Sequence, residues 1–209
     1  MTPELEDELV NSKAITKLID DLRVNTDYEP TPRASLTMAY AALNLEHQSA
    51  ICVLIEQHHR GSAFALLRSQ VEACYRGLWV QRLATDVQVE AIWKRDAEPF
   101  PRSFKLMAEA IDADLATEDL FQGIVNSSWK TLNSFTHSGL EQLSQRFNSS
   151  GDLTPNYSDA KTERLLRGSA SVALLMHIPL FRIWRMERKA EVLEAWLIEK
   201  MNDPAPQKR

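Results

Sequence analysis

Glycine and cysteine are scarce in this sequence. Its 209 residues include 6 glycines and 2 cysteines, and the 9 prolines fall mostly near the ends of periodic segments. Long stretches without helix breakers favour helices over a many-stranded sandwich, which needs frequent turns. Cys52 and Cys74 lie in apolar segments and form no Cys-x-x-Cys or Cys/His motif. We therefore expect reduced, buried thiols and no disulfide framework.

Excess positive charge and long apolar runs are also missing. With a net charge of −5 the chain has no general attraction to DNA, and RNA or a nucleotide would have to bind at a local site. No apolar run approaches the roughly 18 residues needed to cross a bilayer. The first residues, MTPELEDELV, are acidic and do not resemble a signal peptide. We expect a cytoplasmic protein that does not enter the membrane.

What the sequence does contain is apolar residues repeated at the 3.6-residue period of a helix. Thr31 and either Thr85 or Asp86 are predicted N-caps, and Pro179 is predicted to kink or split the last helical region. The stretch 148–159 is dense in turn residues and predicts a loop. The repeats predict helices over about 3–24, 33–59, 62–84 and 86–96, one that ends near 113, an interrupted segment over about 117–147, and a last region to about 201.

Long helices joined by short loops pack as antiparallel neighbours. We therefore predict an all-α fold, an up-and-down helical bundle with a four-helix core and additional helices, in a single domain over residues 1–209. Within this domain, we expect 1–30 to form a peripheral N-terminal helix, 31–201 the bundle core and 202–209 a flexible tail.

One helix, GSAFALLRSQVEACYRGLW, carries the sharpest group of polar residues. Arg68, Glu72, Tyr75 and Trp79 fall within roughly 60° of one another around a helix, beside an apolar stripe. Arg68 and Glu72 are therefore expected to be partly buried, where each charge must be paired. Two interpretations stay open. The pair forms a structural bridge, or together with Tyr75 it lines a pocket that binds a ligand.

A second polar face lies in the stretch WKTLNSFTHSG. As a helix, this stretch and the two residues after it bring Lys130, Asn133 and Glu141 within roughly 40° of His137. Histidine suits general acid–base catalysis near neutral pH, and a lysine can stabilise a phosphate. His137 and Lys130 are thus candidate catalytic residues, and Asn133 and Glu141 are candidate ligand-binding residues. The alternative is that His137 only closes the end of a helix.

Motifs for metals and cofactors are weak or missing. Glu56-Gln57-His58-His59 contains one E-x-x-H, half of the motif of di-iron bundles, and no second copy exists. His47 lies about three turns before His58, so a mononuclear histidine site is conceivable, but histidines near an exposed helix end explain the pattern more simply. The sequence has no Gly-rich phosphate loop, nucleophile elbow or kinase motif. We expect neither a bound metal nor a cofactor.

Three stretches together resemble a group of bacterial proteins of unknown function. They are RGSAFALLRSQVEACYRGLWV, SSWKTLNSFTHSGLEQLSQRF and LTPNYSDAKTERLLRGSASVALL. The shared pattern, over about 33–180, is an Arg and a Glu on one helix followed by a later Asn-x-x-x-His. That group is in turn similar to HEPN domains, all-helical bundles that often dimerise and act as RNases in toxin and phage-defence systems. The resemblance implies a homodimer.

The HEPN signature is an Arg, four to six residues, and then a His. Here Lys130 stands in the Arg position before His137. Lysine lacks the planar fork of arginine, so Arg68 would have to supply the guanidinium from another helix. Two functions remain. We favour a non-catalytic module that binds a ligand or a protein through an Arg68/Glu72/His137 pocket, and the alternative is a HEPN-like RNase or toxin.

Overall fold

The structure of the protein, a computed structural model, describes residues 1–24, 26 and 28–202, with side chains up to residue 199. The all-α prediction is confirmed for this part of the chain. The expected flexible tail, 202–209, lies outside the described residues apart from Asn202. The described helices are α1 (Pro3–Val24), α2 (Pro32–Glu56), α3 (Arg60–Arg82), α4 (Asp86–Trp93), α5 (Phe104–Leu115), α6 (Leu120–Thr136), α7 (Leu140–Ser144), α8 (Asp159–Ile183) and α9 (Glu187–Asn202).

Helix starts follow the predicted capping chemistry. The Thr31 hydroxyl accepts a hydrogen bond from the N–H of Ala34, with Pro32 in the first turn of α2. Thr85 and Gln88 form a reciprocal capping box at the start of α4. Each cap satisfies backbone donors that the first helical turn leaves unpaired. The N-cap predicted at Thr31 is therefore confirmed, and of the two alternatives Thr85 and Asp86 the structure selects Thr85.

Two helix ends differ from the expectation. α8 continues through Pro179 to Ile183, so the proline does not split the last helical region, and a kink at Pro179 stays a prediction. The region divides after Trp184, where Arg185 has a left-handed backbone with φ of 58°. A proline inside a helix removes only one helical hydrogen bond, so the helix can continue past it. A residue with a left-handed backbone, such as Arg185, turns the chain away from the helix axis and ends the helix. α6 begins at Leu120 and not at Thr117, because Asp119 is also left-handed, with φ of 63°.

The helices pack around three clusters of buried apolar side chains. α2 packs against α1, α3 and α8, and α3 also contacts α5, α6 and α8. α1, expected at the periphery, buries Leu5 and Leu9 in one cluster and Ile15 and Ile19 in another. The largest cluster is formed mainly by α3, α5, α6 and α8, and Trp129 packs against it. The division into a single domain with a core over 31–201 stays a prediction.

The described part of the chain contains neither a membrane-spanning helix nor a metal-binding cluster. None of its helices is long and apolar enough to cross a membrane. The same residues contain no group of three or more His, Cys, Asp and Glu side chains that could hold a metal ion. Glu56 pairs with Lys13 at 2.7 Å, and His58 and His59 are exposed between α2 and α3. The single E-x-x-H therefore crosses a helix end.

Candidate ligand-binding site

α3 places three charged side chains one helical turn apart along the edge of the core. Nε of Arg68 donates to Oε1 of Glu72 at 2.8 Å, and Nη2 of Arg76 lies 3.9 Å from the other Glu72 oxygen. Residues four apart on a helix face the same side, so Glu72 can contact both Arg68 and Arg76. We call this row of three charges the ladder. The side chains of Arg68 and Glu72 are 20% and 23% exposed. The pair is thus partly buried, as the spacing predicts.

His137 both closes a helix and contacts Arg68. α6 ends at Thr136, and the N–H of His137 donates to the carbonyl of Asn133. Ser138 then turns the chain with φ of 54°. His137 is exposed, and its Nε2 lies 2.5 Å from Nη1 of Arg68. Two polar groups that the sequence places on separate helices therefore meet in space.

The contact assigns donor and acceptor roles to the two side chains. An arginine guanidinium stays protonated and only donates hydrogen bonds, so Nε2 of His137 must accept. The imidazole in this contact is then neutral, with its proton on Nδ1. Nε2 is engaged and not free to take a proton from a substrate, while Nδ1–H remains a donor.

Aromatic rings support the guanidinium groups. The Arg68 guanidinium lies 5.2 Å from the centre of the Trp129 ring, which stacks on Phe104 with centroids 4.4 Å apart. Arg76 lies 4.9 Å from the centre of the Phe100 ring. Ring faces attract cations, and a ring against a guanidinium also removes water from that side. The orientation of Arg68 is therefore determined by Glu72, His137 and Trp129 together.

Two buried polar atoms on the same sides of α3 and α6 have no hydrogen-bond partner in the described part of the chain. They are Nε of Arg76 and Oδ1 of Asn133. Asn133 lies four residues after Trp129 and four before His137, so it shares with them the side of α6 that meets Arg68. Buried polar atoms are nearly always paired. Water or a bound molecule would give such atoms the partner that the helices do not.

Two predicted site residues lie at the surface around this contact. Lys130 is exposed on α6, about two turns before His137, and makes no ion pair within the described residues. Glu141 is exposed on α7, and its backbone N–H donates to Oγ of Ser134 at 2.9 Å. Within the described residues, neither side chain forms a hydrogen bond or ion pair with Arg68 or His137.

Tyr75 lies in the core and not at the surface of the pocket. Its hydroxyl donates to the carbonyl of Phe121 at 2.8 Å, and burial raises its pKa well above the ordinary range for tyrosine. Tyr75 and Arg68 share a helix face, but a long arginine side chain carries its charged end out of the core. The Tyr75 ring packs against Phe104 and Phe121. Tyr75 therefore supports the site from the core and is not exposed to a ligand.

Other residues of the site were not predicted from the sequence. Phe104 starts α5, and Phe100 precedes it, so their place beside α3 and α6 depends on tertiary packing. Asp112 of α5 is buried and accepts from the N–H of Phe121 at 2.9 Å and of Gln122 at 2.8 Å. Asp112 thereby caps α6, the helix that carries the rest of the site. No local pattern identifies a cap that comes from another helix.

The site offers more donors than acceptors. Glu72 and His137 use two of the five N–H groups of Arg68, and Nη2 has no partner in the described structure. Arg68 and Arg76 are positive and Glu72 is negative, so this group carries one net positive charge while His137 is neutral. Free donors and net positive charge favour an anionic group.

A separate groove of about 560 Å³ lies between α1 and α2. Its charges are largely paired, as in the contacts of Lys17 with Asp21 at 2.8 Å and of Lys13 with Glu56 at 2.7 Å. None of the residues that line it belongs to the predicted site. The volume of this groove alone does not outweigh the oriented donors at Arg68 and His137, which form the candidate site.

The candidate site lies inside a segment that matches a family model. The model of the family of unknown function DUF6988 matches residues 41–197, which contain Arg68, Glu72 and His137. The chain belongs to this family. No curated protein and no solved structure matches the chain. The predicted resemblance to a family of unknown function is thus confirmed, whereas bacterial origin and likeness to HEPN domains stay predictions for this DUF6988 protein.

Proposed function

We propose that this protein is a non-catalytic module that binds an anionic ligand through Arg68 and His137. One observation carries the proposal, namely that Arg68 donates a hydrogen bond to Nε2 of His137. The nitrogen that would serve as a general base is therefore engaged. The free N–H groups of Arg68 remain available to an oxyanion.

Preorganisation of Arg68 supports binding at this place. Glu72 holds its guanidinium from α3, and Trp129 and His137 hold it from α6. A donor group that is oriented before the ligand arrives loses less conformational entropy on binding. We therefore expect Arg68 to contribute most of the binding energy, with His137 as the second contact.

Thermal unfolding with single anions tests the proposal. Inorganic phosphate, sulfate, acetate and citrate are added to separate samples of the full chain. An anion at 100 times its Kd should stabilise the fold by about 2.7 kcal/mol, or about 5–10 °C in Tm for a domain of this size. Arg68→Ala should abolish the shift, because it removes the principal donor.

A matched arginine variant separates binding from a general salt effect. Arg182→Ala removes an exposed ion pair with Glu194 that lies outside the site. It should keep the full shift in Tm with the same anion. If no anion raises the Tm of the wild-type protein more than that of Arg68→Ala, the proposed binding function is wrong.

A HEPN-like RNase or toxin is the second candidate, and the contact between Arg68 and His137 is what favours it. Arg68 would supply the guanidinium that Lys130 cannot. In this proposal His137 releases Arg68 and activates the ribose 2′-hydroxyl, Lys130 and Arg68 stabilise the phosphate, and Glu72 orients Arg68. A HEPN-like bundle with a four-helix core and a homodimer belong to this candidate.

Induced expression of wild type beside His137→Ala distinguishes the two candidates. An RNase should degrade cellular RNA and arrest growth, and the variant should do neither while keeping the helical circular dichroism spectrum and Tm. A binding module should leave RNA intact in both cultures. Light scattering of the purified protein measures whether it is a dimer.

A further inference from the structure

The contact between Arg68 and His137 suits only one charge state of the imidazole. In the observed arrangement Nε2 of His137 accepts from Arg68, and the ring is neutral. A proton on Nε2 would set two positively charged donors 2.5 Å apart with no acceptor between them. A protonated Nε2 in this place therefore needs an acceptor other than Arg68. An anion that enters between them meets that need.

The charges of α3 and of His137 define what kind of anion fits. Arg68 and Arg76 against Glu72 leave one positive charge when His137 is neutral. With a proton on His137 the same four side chains carry two positive charges. A ligand with two negative charges then neutralises the four side chains, whereas a ligand with one negative charge leaves one positive charge unmatched.

The groups that face the site from other elements do not cancel this charge. α6 adds the exposed Lys130 about two turns from His137, and α7 adds the exposed Glu141. Tyr40 of α2 lies near Arg76 and Glu98, and burial raises its pKa, so its hydroxyl stays neutral. Lys130, Glu141 and Glu98 are all exposed, so water screens their charges and they contribute little.

Resting on the proposed binding function, we infer that the ligand ends in a phosphate monoester and that its binding adds a proton to Nε2 of His137. A phosphate monoester carries about −1.5 to −2 charges at pH 7. An internal phosphodiester of RNA carries one negative charge. The monoester oxygens accept from Nη2 of Arg68 and from the new Nε2–H of His137, and the added proton comes from solvent.

The surroundings of Arg68 favour this exchange of partners. Glu72 keeps its hydrogen bond to Nε of Arg68, so the guanidinium stays in place when His137 turns from acceptor to donor. Trp129 covers one side of the guanidinium and limits its contact with water. Hydrogen bonds between charged groups are stronger where water is partly excluded.

Calorimetric titration of the full chain tests the inference with two small probes. Methyl phosphate carries two negative charges above about pH 7, and dimethyl phosphate carries one. We expect methyl phosphate to bind at least ten times more tightly. Its Kd should rise severalfold between pH 7.0 and 8.5, because each binding event then takes up a proton from solvent. Titrations in two buffers with different ionisation enthalpies should show this net proton uptake.

Two histidine variants provide the controls. His137→Gln should still bind methyl phosphate through Arg68, but more weakly, without proton uptake and with a Kd independent of pH. His59→Gln changes an exposed histidine between α2 and α3 and should behave as wild type. Equal affinity for the two phosphates, or binding without proton uptake, would overturn the inference and leave anion binding intact. Absence of binding by any anion would overturn the proposed function as well.

Discussion

Arg68 is the residue on which the candidate site depends. It hydrogen-bonds Glu72 on its own helix and His137 on α6, and its guanidinium lies against Trp129. A lysine at this position would bring a charge but not donors in fixed directions. The half-buried position follows from the helical spacing. The partner on α6 follows only from how the two helices pack.

His177 is the residue from which we expect the clearest response to acid. It is fully buried, and its Nδ1 donates to the carbonyl of Ala173 at 2.8 Å. Burial lowers the pKa of His177 to about 4, and the positive charge of Arg23 acts in the same direction. The folded state therefore binds fewer protons than the unfolded state between about pH 6.5 and pH 4.

The stability that His177 supplies should be fully present above about pH 6.5 and be lost as the pH falls toward 4. The loss is about 3 kcal/mol over this window. Urea unfolding at several pH values measures it, and the free energy of unfolding of His177→Gln should depend less steeply on pH. His59→Gln should keep the wild-type slope. Equal slopes for wild type and His177→Gln would contradict this prediction.

At the scale of elements, α6 is held in place from both ends. Its C-terminal end meets Arg68 through His137, and its N-terminal end receives the carboxylate of Asp112 from α5. The formal N-cap, Asp119, makes no side-chain hydrogen bond to the helix backbone. The positive end of the α6 dipole and its unpaired N–H groups are thus satisfied by α5.

Asp112→Asn should lower the free energy of unfolding by about 1–3 kcal/mol at pH 7, because it replaces a charged acceptor of three hydrogen bonds. Burial raises the pKa of Asp112, but hydrogen bonds from Thr117, Phe121 and Gln122 outweigh it and hold the value below the ordinary range. This contribution should therefore be lost only as the pH falls through that low value.

Chemical denaturation of Asp112→Asn beside Asp119→Asn checks the role of the α5 carboxylate. Asp119 is exposed, and its carboxylate accepts from the side-chain nitrogen of Gln122, so its variant should change stability by less than about 0.5 kcal/mol. If Asp119→Asn lowers the free energy of unfolding more than Asp112→Asn does, α6 is capped by its own N-cap residue and the role assigned to Asp112 is wrong.

At the scale of the whole molecule, a buried polar contact joins three helices. Gln70 of α3 donates to the carbonyl of Ser169 on α8 at 2.9 Å and accepts from its hydroxyl at 2.6 Å. Asn44 of α2 donates to the backbone carbonyl of Gln70 at 3.1 Å. All three side chains are buried. Such contacts favour one register between helices, because a shifted register leaves polar atoms unpaired.

Gln70→Leu should lower the free energy of unfolding by about 1–3 kcal/mol, because it leaves the Ser169 hydroxyl buried without its partner. The double variant Gln70→Leu with Ser169→Ala should recover part of that loss, since it removes the unpaired group. Urea unfolding of the four proteins in the cycle measures the coupling. Strictly additive effects would show that the two side chains do not depend on each other.

Features that depend on neighbours in the chain were predictable. The N-caps at Thr31 and Thr85 and the ladder from Arg68 to Glu72 follow from local spacing, because hydrogen bonds within one turn involve residues three or four apart. The position of the split near Pro179 was not predictable from the proline alone, since the reversal uses Arg185 in a left-handed conformation. A proline weakens a helix, but packing on both sides can carry the helix through it.

The sequence by itself determined that the chain is helical, where several helices begin, and that Arg68 and His137 each lie on a polar helix face. These properties depend on the 3.6-residue period and on capping within one turn. Only the tertiary structure decided that Arg68 meets His137, that Tyr75 is enclosed in the core, and that Asp112 caps α6 from another helix. Contacts between helices depend on their packing and register, which no local pattern encodes.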